Sequence, residues 1–197
     1  MTHTIATLKI TLDCVQPEVS RIIDIPYDIR LDRLHLAIQA AMGWTNSHLY
    51  MFLLKETRFG TPDPEWDNDM LDARKATLAK LIMDTGVKTF KYIYDFGDDW
   101  CHTIKLEQLS PADANISYPV LTSSVGRCPP EDVGGPPGFE AFLEAINDPR
   151  DERHDEMLQW YGASFDPAVV DAQQITSDLQ KLHKAWNRSR KPRLRPY

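Results

Sequence analysis

The amino-acid sequence predicts an α+β domain, and three observations carry that reading. Strand-like alternation occupies Ile5 to Cys14 and Phe90 to Leu106, a helical apolar stripe begins at Leu31, and after Ser110 a Pro/Gly loop gives way to helical spacing. Ile5, Thr7, Lys9 and Thr11 face one way and Ala6, Leu8, Ile10 and Leu12 the other, the period of a half-buried strand. Gln16-Pro17-Glu18 turns the chain into Val19 to Ile25, a β-branched run that stops at Pro26, so the two segments make a hairpin. Leu34, Ile38, Ala41 and Met42 then line one side of a helix, with Asp32 as cap or first-turn acid and Gly43 as the residue that closes it.

His48 to Lys55 is apolar at nearly every position, as expected of a strand covered on both faces. Thr61 to Asp72 reads as a surface loop, and Thr77 to Met83 as a short helix ended by Gly86. The clearest hairpin follows: Phe90, Tyr92, Tyr94 and Phe96 alternate with polar residues, Gly97-Asp98-Asp99 turns, and Trp100, His102, Ile104 and Leu106 alternate again. A three-residue turn would set Phe96 against Trp100, Tyr94 against His102, Tyr92 against Ile104 and Phe90 against Leu106, with Lys91 opposite Lys105. This order of strand, strand, helix, strand, short helix, strand suggests a β-grasp-like (ubiquitin-like) mixed sheet packed on one helix. A C-terminal helical extension follows: helices at Phe139 to Asn147, Glu152 to Tyr161 and Pro167 to Trp186, with Trp160 and Tyr161 as helix core. The expected domain is 1–166, made of a sheet-rich part at 1–109 and the Pro/Gly loop with its helices at 110–166; residues 167–197 form a C-terminal helix and basic tail.

Composition narrows the function classes. At 197 residues, 42% hydrophobic and 26% charged, the chain can bury roughly 70% of its unfolded surface and is neither disordered nor fibrous. Residues 1–180 hold 15 bases and 29 acids, a charge of -14, whereas Lys181 to Arg195 supplies seven bases and no acid. An acidic body repels nucleic acid and anionic membrane, so a nucleic-acid partner would meet the tail, and no membrane partner is expected. Three cysteines without CxxC spacing, no apolar leader and no long apolar run point to a cytoplasmic protein.

Several side chains are candidates for chemistry. Cys101 and His102 are neighbours on a strand and point to opposite faces, so they make no thiol-base pair. His102 reads as a core histidine or, with His48 and Trp44, as a ligand or base in a pocket. Asp95, Asp98 and Asp99 suit turn chemistry, and Asp95 could also join Glu131 and Asp132 as oxygen ligands for Mg²⁺ or Mn²⁺. The catalytic candidates are therefore Asp95, His102, Glu131 and Asp132, and the metal candidates Asp95, His102 and Glu131. A binding surface is expected around Trp44, His48, Tyr94, Asp98, Asp99 and Trp100. The Pro/Gly loop lacks Walker spacing, and its acids would repel phosphate.

The stretch Tyr94-Asp95-Phe96-Gly97-Asp98-Asp99-Trp100-Cys101-His102 resembles the plasmid pRiA4b ORF-3-like family. Three further stretches agree: Leu34-His35 to Met42-Gly43-Trp44 with His48, the loop from Cys128 to Gly138 with Phe139, and Phe165-Asp166-Pro167. The resemblance implies an α+β domain common in bacteria and on mobile elements, with no settled activity. Ser20-Arg21-Ile22 departs from the family's usual Trp before an Arg pair, and Val133 stands where a second Cys is usual, which rules out a Cys-x4-Cys pair. Two functions are compatible with these readings: a binding or regulatory module for a protein or nucleic-acid partner, or a metal-dependent hydrolase or nuclease.

Overall fold

The structure is a computed structural model and describes residues 4–63, 69–162 and 164–190. Eight strands form one mixed sheet: β1 (Thr4–Leu12), β2 (Ser20–Pro26), β3 (Tyr50–Leu54), β4 (Thr57–Gly60), β5 (Leu71–Asp72), β6 (Thr89–Tyr94), β7 (Trp100–Pro111) and β8 (Val120–Val125). Their spatial order is β5-β4-β3-β6-β7-β1-β2-β8, and every pair is antiparallel except β4 with β5. The helices are α1 (Leu31–Met42), α2 (Leu78–Thr85), α3 (Gly135–Asn147), α4 (His154–Tyr161) and α5 (Ala172–Arg190). This sheet is larger than the β-grasp-like one expected, because β4, β5 and β8 add strands on its flanks.

The alternation of β1 buries Ala6, Leu8, Ile10 and Leu12, and β2 buries Ile23 and Ile25 beside them. The stripe of α1 buries Leu34, Ile38, Ala41 and Met42 and ends at Gly43, whose φ of 88° suits a residue without a Cβ. Asp32 is a first-turn acid; the cap position is Arg30, which makes no side-chain cap. Ile175 and Leu179 of α5 join the same core, and α5 packs on α1 and β8. Among the described residues no helix is long and apolar enough to cross a membrane.

Several expectations are corrected. In the β6–β7 hairpin Tyr94 faces Trp100, Tyr92 faces His102 and Phe90 faces Ile104, so the loop is Asp95–Asp99 and two residues longer than expected. Asp95 and Asp99 take φ values of 58° and 52°, which end the ladder early and leave Phe96 exposed at the tip. A two-residue shift preserves the faces, and Lys91 now faces Thr103 instead of Lys105. β3 is covered on one face, with Phe52 and Leu54 inward. The expected loop at Thr61 to Asp72 contains β5, and 64–68 lie outside the described residues.

Helix α3 starts at Gly135, because Pro136 and Pro137 fit a first helical turn where their missing N–H groups cost nothing. Helix α4 contributes no fully buried residue, and Trp160 is exposed where a core position was expected. The tail residues Lys191, Arg193 and Arg195 lie outside the described residues, whereas Lys181, Lys184 and Arg188 stand on α5.

Candidate metal centre

Three loops meet at the end of β6. The first follows α1 and carries Trp44 to His48, the second is the β6–β7 turn, and the third is the Pro/Gly loop that enters α3. Tyr94 pins them together. Its hydroxyl accepts the backbone N–H groups of Ser47 and His48 at 3.0 and 3.3 Å and donates to Glu131 Oε1 at 2.6 Å. Burial, reinforced by the Glu131 carboxylate, raises the Tyr94 pKa far above the usual phenol value, so the hydroxyl stays a donor. The second oxygen of Glu131 accepts the Thr45 N–H at 3.0 Å and the Thr45 hydroxyl. Trp44 Nε1 donates to the Pro129 carbonyl at 3.0 Å, closing the first loop onto the third.

The second and third loops touch through backbone. Gly134 N–H donates to Asp98 Oδ2 at 3.1 Å, and a Cβ on Gly135, whose φ is 69°, would stand 2.3 Å from the Asp98 carbonyl oxygen. Glycine is required there by both the φ and the approach. Within the turn, Asp95 Oδ1 accepts the N–H groups of Gly97 and Asp98 at 2.9 and 3.4 Å. That arrangement leaves Oδ2 facing His48.

The result is a cluster of His48, Asp95 and Asp132 whose ligand atoms all lie within 4.8 Å of one another. His48 Nε2 lies 3.0 Å from Asp132 Oδ1 and 3.6 Å from Asp95 Oδ2. Atoms bound to one first-row cation at about 2.0–2.2 Å stand roughly 2.8–3.6 Å apart, a range that holds both spacings. The same nitrogen is buried and makes no well-directed hydrogen bond among the described residues. One imidazole and two carboxylates suit Mn²⁺ or Zn²⁺, and three protein ligands leave coordination positions open on the side of Asp132, whose side chain is 70% exposed.

The expected residues divide around this cluster. Asp95 and Asp132 belong to it, and His48 takes the place expected of His102. Glu131 faces Thr45 and Tyr94 instead. His102 is fully buried: its Nδ1 lies 3.0 and 3.3 Å from the Trp100 and Tyr92 carbonyls, and its ring packs edge-on to Trp44. Alternation from Trp100 turns it into the core against Trp44 and Tyr92, and burial lowers its pKa to about 4. Trp44, Tyr94 and Trp100, expected on a binding surface, are buried and support the loops from beneath, leaving His48, Asp98 and Asp99 toward solvent. Cys101 and His102 do point apart, Cys101 being partly exposed with its pKa raised to about 11 by burial. The roles of Tyr94 and Thr45 as ties to Glu131 have no local signal, since their partner lies 37 and 86 positions away.

An eight-stranded mixed sheet with five helices makes the described chain an α+β protein. The chain belongs to the plasmid pRiA4b ORF-3-like protein family, whose model matches residues 4–174. It is 48% identical over 189 residues to the uncharacterised protein y4hQ of Sinorhizobium fredii, covering 95% of this chain and 97% of that one. Among solved structures it resembles the protein of unknown function MM3350 from Methanosarcina mazei Go1, with a TM-score of 0.80 and 29% identity over 88% of this chain and 98% of the other.

Proposed function

We propose that the protein is a cytoplasmic binding or regulatory module whose working part is a divalent cation held by His48, Asp95 and Asp132. One observation carries this reading: a buried imidazole nitrogen without a hydrogen bond stands 3.0 and 3.6 Å from two carboxylates brought by separate loops. The cation would supply the charge that draws an oxygen-bearing ligand to the open side, while Tyr94 and Glu131 hold the loops in place. Three free thiols favour the cytoplasm, and the plasmid in the family's name favours association with mobile elements. The likeness to a β-grasp rests on the chain order of hairpin, α1 and returning strands. Contact with a protein or nucleic-acid partner through Lys181 to Arg195 remains part of this reading.

A metal-dependent hydrolase or nuclease is the second reading, favoured by the open coordination side. Asp95 and Asp132 would then be ligands, with His102 and Glu131 supporting the site from behind. The binding reading is preferred because, of the remaining catalytic candidates, Glu131 is taken up by Thr45 and Tyr94 and His102 is fully buried. Calorimetry of the full chain, stripped with chelator, tests both. Saturable heat and a raised melting temperature with Mn²⁺ or Zn²⁺, lost in His48→Ala, are expected. No heat and no shift with any divalent cation would overturn the centre; turnover of a phosphodiester by the loaded protein would favour the hydrolase.

A further inference from the structure

On the other side of the Pro/Gly loop a cleft of 550 Å³ opens between the end of α1, the loop and the start of α5. Its floor contains Arg21, which is 1% exposed. Arg21 Nε donates to the Ala41 carbonyl, and Nη1 to the carbonyls of Ser20, Val125 and Gly126, all at 2.8–3.0 Å. Nη2 has no partner among the described residues, yet it is not one of the sealed, unpartnered atoms of the core. With Nε and Nη1 committed to carbonyls, Nη2 is the nitrogen left for a ligand in the cleft that Arg21 lines. Burial lowers the Arg21 pKa, and the carbonyl dipoles offset the charge without a carboxylate to neutralise it.

A second guanidinium lines the same cleft. Arg127 Nη2 donates to the Tyr161 hydroxyl at 2.8 Å, and its guanidinium lies over the rings of Tyr161 and Phe165 at 5.7 and 4.8 Å. It too has no carboxylate partner among the described residues. The acids along the rim are already engaged. Glu131 holds Thr45 and Tyr94, Asp171 accepts the Gln174 N–H, and Asp178 accepts Gln174 Nε2 and Lys181 Nζ. Neither arginine has a carboxylate partner among the described residues, whereas of the rim acids Asp178 is paired with Lys181 and Glu131 and Asp171 are bonded to neutral donors.

We infer that this cleft is a binding site for a small oxyanion, a carboxylate or a phosphate ester, held between Arg21 Nη2 and the Arg127 guanidinium. Arginine forks match the paired oxygens of both groups, and Trp44, Met42 and Ile175 offer apolar surface to the rest of the ligand. None of its donors belongs to the His48 cluster, although Trp44 and Glu131 border both sites.

Titration of the chelator-treated full chain at low ionic strength tests it, with intrinsic tryptophan fluorescence and melting temperature as readouts. The probes are inorganic phosphate, phenyl phosphate and benzoate, with chloride at matched ionic strength as control. Saturable responses to phosphates alone identify a phosphate site, and to benzoate alone a carboxylate site. Either response should weaken about tenfold in Arg127→Gln and also in Arg21→Lys, which keeps the charge but loses the fork. Chloride producing the same response, no saturation with any probe, or both variants binding like the parent would overturn the site. Chelator treatment keeps this result separate from any failure of the cation centre.

Discussion

Two histidine environments lie within one aromatic layer of each other and do opposite things. His48 sits at the mouth of the three-loop junction, its ring 5.8 Å from Tyr94, facing two carboxylates. His102 lies 5.4 Å from Trp44, which stacks on Tyr94 at 5.1 Å, and faces backbone carbonyls and rings. His35 shares the buried setting, bonded to the Tyr92 hydroxyl at 2.8 Å and stacked on Tyr50. Residue type is the same in all three. Which segment carries the imidazole decides whether it is packed as a neutral core group or offered to a cation: strand alternation drives His102 inward, and α1 presents His35 to the sheet. An irregular loop tied to Tyr94 leaves His48 at the edge.

The largest expected effect separates the two environments by pH. Burial depresses the pKa of both His35 and His102 from 6.5 to about 4. Between those values the unfolded chain takes up protons that the fold refuses, so stability falls as pH drops from about 6.5 to about 4 and levels off below. Each histidine contributes roughly 3 kcal/mol to that loss. Urea unfolding across the window measures it, and a flat profile would mean that the buried rings are charged in the fold.

Gly135→Ala attacks the junction alone. A methyl group would meet the Asp98 carbonyl at 2.3 Å with φ at 69°, so a loss of about 2 kcal/mol and of cation binding is expected, with the pH profile unchanged. Undiminished cation heat in this variant would show that the Pro/Gly loop is not needed to place Asp132. Tyr94→Phe is milder, removing one hydroxyl that serves Ser47, His48 and Glu131, and should cost about 1–2 kcal/mol and weaken cation affinity several-fold. An affinity equal to the parent's would break the claim that Tyr94 positions His48.

What could be read from the residues follows the same division. The strands β1, β2, β6 and β7 and helix α1 show their periods plainly, because Leu8, Ile10, Tyr92 and Ile38 each repeat a local pattern that burial enforces. β4 follows a turn at Lys55-Glu56 with no Asn-Gly signature, and β8 is a short edge strand interrupted by Thr122-Ser123-Ser124, so neither announces itself. The junction was half legible: Asp95 and Asp132 stood out as acids beside Gly-rich turns. The choice of His48 over His102 depended on a hairpin loop two residues longer than the apolar pattern implied. That length comes from Asp95 and Asp99 adopting positive φ, a conformation that the alternation of their neighbours does not report. Arg21 was silent because its carbonyl partners, Val125 and Gly126, come from more than a hundred positions away.

Anomalous diffraction from crystals of the full chain grown with Mn²⁺ or Zn²⁺ tests the cation centre most directly. The geometry predicts one strong peak about 2.0–2.2 Å from His48 Nε2, Asp95 Oδ2 and Asp132 Oδ1. A peak elsewhere, or no peak at these three residues, would contradict it.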